Sequence, residues 1–171
     1  MTINIRRARV SDANALPAIE TCAARLFLRD PQLAWLAEAP VLDAEGHRRN
    51  IQRLPVWVAC PAEDQPCAFL CAEPLGHELH IWEISVASDY QGQGIGKALL
   101  QAAIEHARQQ RLKALTLTTF RQLPWNEPFY QRQGFITLDA GQLGTRLEQV
   151  LLDEQQHGLP ALRRCAMRLL L

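Results

Sequence analysis

Apolar and polar positions change period several times along this chain, and each change predicts an element. Residues 3–9, Ile-Asn-Ile-Arg-Arg-Ala-Arg, alternate as a first strand. Ser11-Asp12 then offers an N-cap for a helix over residues 12–27, in which Leu16, Ile19, Ala23 and Leu26 recur at helical spacing. Asp30-Pro31 breaks that pattern; Leu33, Trp35 and Leu36 make a short helical piece before Pro40, and residues 43–54 read as a more polar helix closed by Pro55. Residues 56–60, 67–73 and 78–87 are apolar runs separated by a turn rich in Pro, Asp and Glu and by a second turn at Pro74-Leu75-Gly76, which predicts an antiparallel meander.

The next helix places Ile95, Ala98, Leu99, Ala102 and Ala103 on one side and Lys97, Gln101, Glu105 and Arg108 on the other, so it covers a sheet face. Residues 112–120, dense in Leu and Thr, form the following strand; a βαβ crossover reaches it, so it lies parallel to strand 78–87. In residues 121–133, Asn126 caps a short helix with Pro128 in its first turn, and Gly134 stops it. A strand at 135–138, a helix at 143–157 ended by Gly158 and Pro160, and a strand at 164–171 complete the chain. The fold class is α+β: a mixed, mostly antiparallel central sheet with one parallel strand pair and helices on both faces, in a single domain over residues 1–171.

Charge and composition narrow the function. Eighteen basic and eighteen acidic residues cancel, with no basic stripe and interleaved aromatics, so nucleic acid is not an expected partner. No apolar run approaches the roughly 20 residues of a membrane span, and the first seven residues lack a signal-peptide core, which predicts a cytoplasmic protein with no membrane partner. The five cysteines are odd in number, form no Cys-x-x-Cys pair and read as small buried hydrophobes. Five scattered histidines, with His77 and His80 on opposite strand faces, predict no metal site.

The chemistry concentrates between His80 and Leu100, where a strand, a glycine-rich turn and an amphipathic helix follow one another. Gly92, Gly94 and Gly96 leave backbone N–H groups unshielded at the positive end of a helix dipole, a cradle for phosphate; a plain structural turn is the alternative. A nucleotide P-loop would need Gly at Gln91 and Ser or Thr at Ala98, and a dinucleotide fingerprint would need Gly at Lys97. The segment Gln91-Gly-Gln-Gly-Ile-Gly96 instead resembles the Gln/Arg-x-x-Gly-x-Gly/Ala pyrophosphate loop of the GCN5-related N-acetyltransferase (GNAT) family. Downstream, Asn126-Glu-Pro-Phe-Tyr130-Gln-Arg-Gln-Gly134-Phe135 is similar to that family's Asn…Tyr-x-x-x-Gly-Phe segment, with a shorter Asn-to-Tyr interval and an inserted Pro128. The resemblance covers roughly residues 3–138 and implies the family's three-layer α/β/α fold, its splayed parallel strands, and acetyl-coenzyme A as cosubstrate.

It also implies roles. Gln91, Gly92, Gln93, Gly94, Ile95, Gly96 and Lys97 would hold the pyrophosphate, Ser85 and Val86 would offer a backbone N–H to the thioester carbonyl, and Asn126 would contact the cofactor. Tyr130 matches the tyrosine that protonates the leaving thiolate, or else is a buried Tyr with a satisfied hydroxyl. Glu83, a carboxylate in a largely apolar strand, is either the general base or one end of a cross-strand salt bridge, with Arg121 as partner. Phe27, Trp35, Trp125 and Phe129 are candidate walls of an acceptor pocket, with Asp30, Glu38 or Glu127 to attract a cation; core positions are the alternative for the aromatics. The implied activity is acetyl transfer to the amine of a small molecule by direct attack. The alternatives are a protein N-terminus or lysine as acceptor, or a non-catalytic acyl-CoA-binding module. Residues 139–171 leave open a homodimer built on the terminal elements.

Overall fold

The computed structural model describes residues 3–61 and 64–171. Its strands are β1 (Asn4–Arg7), β2 (Val56–Cys60), β3 (Ala68–Leu75), β4 (Glu78–Val86), β5 (Ala114–Phe120), β6 (Ile136–Thr137) and β7 (Arg164–Leu170). The helices are α1 (Leu16–Ala24), α2 (Ala44–Arg53), α3 (Ile95–Gln109), α4 (Glu127–Arg132) and α5 (Gly144–Gln156). The seven strands run in the order β1-β2-β3-β4-β5-β7-β6, with helices on both faces. β1–β2, β2–β3, β5–β7 and β6–β7 are antiparallel, and β4 pairs with β5 in parallel, Glu78 opposite Ala114 through Ile81 opposite Leu117.

The chain divides into two compact units, one formed by residues 1–73 and 83–105, the other by 74–82 and 106–171, so β3, β4 and α3 contribute to both. In the first unit, α1 brings Leu16 and Ile19 onto Val58 and Cys60 of β2 and Phe69 of β3. In the second, α5 lays Leu147 against Ala166 and Leu138. Two charged clamps hold α5 in place. Arg146 donates to Glu78 at 2.6 Å and to Thr116 at 2.9 Å, and Glu154 accepts two hydrogen bonds from Arg164 at 3.0 and 2.9 Å.

Several expected boundaries move. The helix expected over 12–27 is a 3-10 turn (Val10–Asn14), then α1, then a second 3-10 turn (Arg25–Arg29). Asp12 is not an α-helix cap: its carboxylate accepts from the Arg9 amide at 2.6 Å and from both terminal nitrogens of Arg6, an ion pair that holds it below the usual carboxylate range. The piece between Pro31 and Pro40 is likewise 3-10, Ala34–Glu38. β3 continues through Pro74, so the turn into β4 is Gly76-His77, with Gly76 at φ +62°. Residues 62 and 63 of the expected Pro/Asp/Glu turn lie outside the described residues. Cys60, Cys67, Cys71 and Cys165 are buried and all five cysteines are free, as small hydrophobes would be; Cys22 alone is half-exposed.

Candidate active site

The glycine-rich segment joins β4 to α3. A 3-10 turn, Ser88–Tyr90, leaves the strand, closed by Tyr90 N–H to Ala87 C=O at 2.9 Å and Gln91 N–H to Ser88 C=O at 3.3 Å. Two side chains brace the loop from within: Gln91 Nε2 donates to the Val86 carbonyl at 2.9 Å and Gln93 Nε2 to the Asp89 carbonyl at 3.0 Å. A contact that the sequence did not reveal ties the turn to α1, where Cys22 Sγ accepts from Ser88 N–H at 3.2 Å and lies 3.0 Å from Ser88 Oγ.

Gly92 and Gly94 have φ of +74° and +79°, the left-handed region that L side chains rarely adopt, and a Cβ at either would meet nothing within 4 Å. The backbone is therefore bare on an open side. Gly96 serves differently, in the first turn of α3. The first helical hydrogen bond runs from Ala98 N–H to Gly94 C=O at 3.0 Å, so the amides of Ile95, Gly96 and Lys97 precede it at the positive end of a 15-residue helix. A diphosphate fits these features: amide donors, a favourable dipole and no side chain where its oxygens would come. Lys97 is exposed beside them.

On β4, Glu83 and Ser85 share a face. Ser85, 4% exposed, donates its hydroxyl to Glu83 Oε1 at 2.6 Å. Cys71 on β3 senses that carboxylate: burial, then Glu83, Glu73 and Glu20, push its thiol up to about 12. Glu20 of α1 lies 3.3 Å from Nε2 of His47, a buried α2 residue whose ring meets Phe69 edge-on at 5.2 Å. The Cys71 thiol is thus neutral, and the three carboxylates of the first unit that act on it come from α1, β3 and β4. Arg121, the salt-bridge partner considered for Glu83, donates its Nε to the Arg164 carbonyl at 3.1 Å.

In the second unit, Asn126 precedes α4 but does not cap it with its side chain. Its Nδ2 donates to Thr119 on β5 at 3.0 Å, and its Oδ1 is buried with no hydrogen-bond partner. Tyr130 is half-buried, its ring edge-on to Phe129 at 5.0 Å and Phe135 at 5.7 Å, and its carbonyl accepts from Gln133 and Phe135 amides, which closes α4 onto Gly134 at φ +93°. Each of the three alternatives for attracting a cation has its own surroundings. Glu127 is committed to the Gln122 amide at 3.1 Å and the Thr137 hydroxyl at 2.7 Å, Asp30 accepts from the Gln32 amide at 3.0 Å, and Glu38 is exposed at the end of its 3-10 turn. Trp35 is 49% exposed and is not core. Glu20, Glu73 and Glu83, which all act on the Cys71 thiol, belong to separate elements that no sequence spacing links.

Among the described residues no cluster of His, Cys, Asp and Glu could hold a metal ion, and no helix is long and apolar enough to cross a membrane. The chain matches the Acetyltransferase (GNAT) family over residues 23–135. It is 32% identical over 138 residues to the peptidyl-lysine N-acetyltransferase YjaB of Salmonella typhimurium, covering 79% of this chain and 84% of that protein. Its fold is similar to that of the PaiA N-acetyltransferase from Thermoplasma acidophilum in complex with coenzyme A, with a TM-score of 0.74, 16% identity and full coverage of both chains. It is also similar to the ribosomal-protein-S18-alanine N-acetyltransferase of Escherichia coli, with a TM-score of 0.69, 18% identity, and coverage of 99% of this chain and 94% of that one. The matched segment takes in the glycine-rich loop, Glu83 and Tyr130, more than half of the chain, and the protein is accordingly an acyltransferase that belongs to the GNAT acetyltransferase family.

Proposed function

We propose that the protein transfers the acetyl group of acetyl-coenzyme A to the primary amine of a small molecule by direct attack. The observation that carries the reading is the loop Gln91–Gly96, with its bare left-handed glycines opening α3. Acetyl-coenzyme A supplies the activated acetyl group. The amides of residues 91–97 hold its diphosphate; Gln91 acts at one remove, by fixing the loop to the Val86 carbonyl. The backbone at Ser85 and Val86, where β4 ends, offers an N–H toward the thioester carbonyl. Asn126, with a buried carbonyl oxygen still to be satisfied, accepts a hydrogen bond from an amide of the cofactor arm. Glu83 takes the proton from the incoming ammonium, and the Tyr130 hydroxyl returns one to the leaving thiolate. The carboxylates Glu20, Glu73 and Glu83 favour a cationic acceptor.

A second reading has a specific observation behind it: similarity to a peptidyl-lysine N-acetyltransferase over most of that protein's length favours a lysine side chain as acceptor. The two share one chemistry, a primary alkylamine. Thiol release from acetyl-coenzyme A in the presence of polyamines, amino acids, lysine peptides and N-terminal peptides separates them. Turnover with free amines supports the first reading, and turnover confined to lysine peptides replaces it with the second. Coenzyme A binding without thiol release on any amine would overturn both in favour of a binding module.

A further inference from the structure

Ser85 enters the proposed mechanism only through its backbone, yet its side chain makes a short buried contact with the candidate base. We infer that the Ser85 hydroxyl is a positioning residue that holds the Glu83 carboxylate in one orientation and favours its ionised form. The inference rests on the reading of Glu83 as general base.

The geometry carries it. Residues 83 and 85 of one strand project to the same face, so the hydroxyl reaches Glu83 Oε1 without distortion, at 2.6 Å, the length of a charge-assisted O–H···O⁻ bond. Ser85 is 4% exposed, so water does not compete freely for the hydroxyl. Other elements supply the surrounding titratable groups. From β3 come Cys71, whose thiol is driven up to about 12 and stays uncharged, and Glu73; from α1 comes Glu20, with His47 of α2 at 3.3 Å from it. A protonated Glu83 cannot accept the ammonium proton, and a hydroxyl that donates to the charged form favours that form. With one oxygen fixed by Ser85, the other carboxylate oxygen has a defined direction in which to receive a proton.

The test reads the carboxylate itself. Protein labelled with ¹³C at the glutamate side-chain carboxyl is titrated by NMR without cofactor, and the Glu83 resonance is identified by its loss in Glu83→Gln. Loss of a hydrogen bond to a charged group should move the Glu83 midpoint upward by about one pH unit in Ser85→Ala. Ser85→Thr, which keeps the hydroxyl, should restore it. The acid limb of kcat/KM should move with the resonance while KM for acetyl-coenzyme A stays unchanged. An unshifted Glu83 titration in folded Ser85→Ala overturns the inference, as does a shift that Thr fails to reverse. If Glu83→Gln retains full turnover, the reading of Glu83 as base fails instead, and the two failures are distinct.

Discussion

Replacing Gly94 by alanine isolates the loop's bare backbone. At φ +79° a Cβ is disfavoured by roughly 1–2 kcal/mol, and because it would meet nothing within 4 Å no packing cost is added. Against a typical stability of about 5–15 kcal/mol the variant stays folded. If the amides of residues 95–97 hold the diphosphate as proposed, the same Cβ would stand in the open space its oxygens need, and coenzyme A affinity should fall at least tenfold. Gly76→Ala is the control, since Gly76 has φ +62° and equally open space but lies in the β3–β4 turn. Both variants should lose similar intrinsic stability. Thermal unfolding with and without coenzyme A then separates them: at a ligand concentration of about 100 Kd, binding adds about 2.7 kcal/mol, or roughly 5–11 °C for a chain of this size. The wild type and Gly76→Ala should show the whole shift, and Gly94→Ala at the same concentration about half of it or less. A full shift in Gly94→Ala would refute the argument that this backbone binds the cofactor's diphosphate.

Further outcomes follow from other contacts. Glu83→Gln should lower kcat by about 10²–10⁴-fold with coenzyme A binding retained, measured by thiol release and calorimetry. Gln91→Leu removes the tie to the Val86 carbonyl and should raise KM for acetyl-coenzyme A with little change in Tm, which steady-state kinetics and thermal melts compare directly. His80 is fully buried, and burial, aided by Arg146, lowers its pKa from 6.5 to about 4. The unfolded chain therefore binds the extra proton first, so stability should fall as pH drops from about 6.5 toward 4 and level off below that; urea melts at pH 7 and pH 5 should show a smaller difference in His80→Gln. Leu99→Ala, at a fully buried α3 position, should cost about 2–5 kcal/mol in denaturant melts.

Local chemistry was legible before the structure. Three meander strands, α2 with Asp43 accepting from the Gly46 amide at 2.7 Å, α3 and the parallel β5 follow from periodicity, caps and crossover length. Where local and tertiary demands competed, sequence reading failed. Asn126 has the residue type of a cap, but its side chain donates to a buried Thr119 hydroxyl instead, and Asp12 binds Arg6 and reaches back to the Arg9 amide of a 3-10 turn rather than starting an α-helix. Of the acidic residues offered for an acceptor pocket, Glu127 binds the Gln122 amide and the Thr137 hydroxyl and Asp30 the Gln32 amide, partners that no sequence spacing announces.

The sequence by itself determined the glycine loop, because a positive φ is a property of single residues, and the order of elements, because hydrophobic period is local. Only the tertiary structure decided where the last third of the chain goes. β7 is inserted between β5 and β6, and its two arginines, Arg164 and Arg168, are satisfied by Glu154 and Glu78 from distant positions. It likewise decided that a serine chosen for its backbone would offer its hydroxyl to Glu83. Such partnerships depend on which surfaces meet when the chain closes, and pairing between remote residues leaves no period in a single sequence.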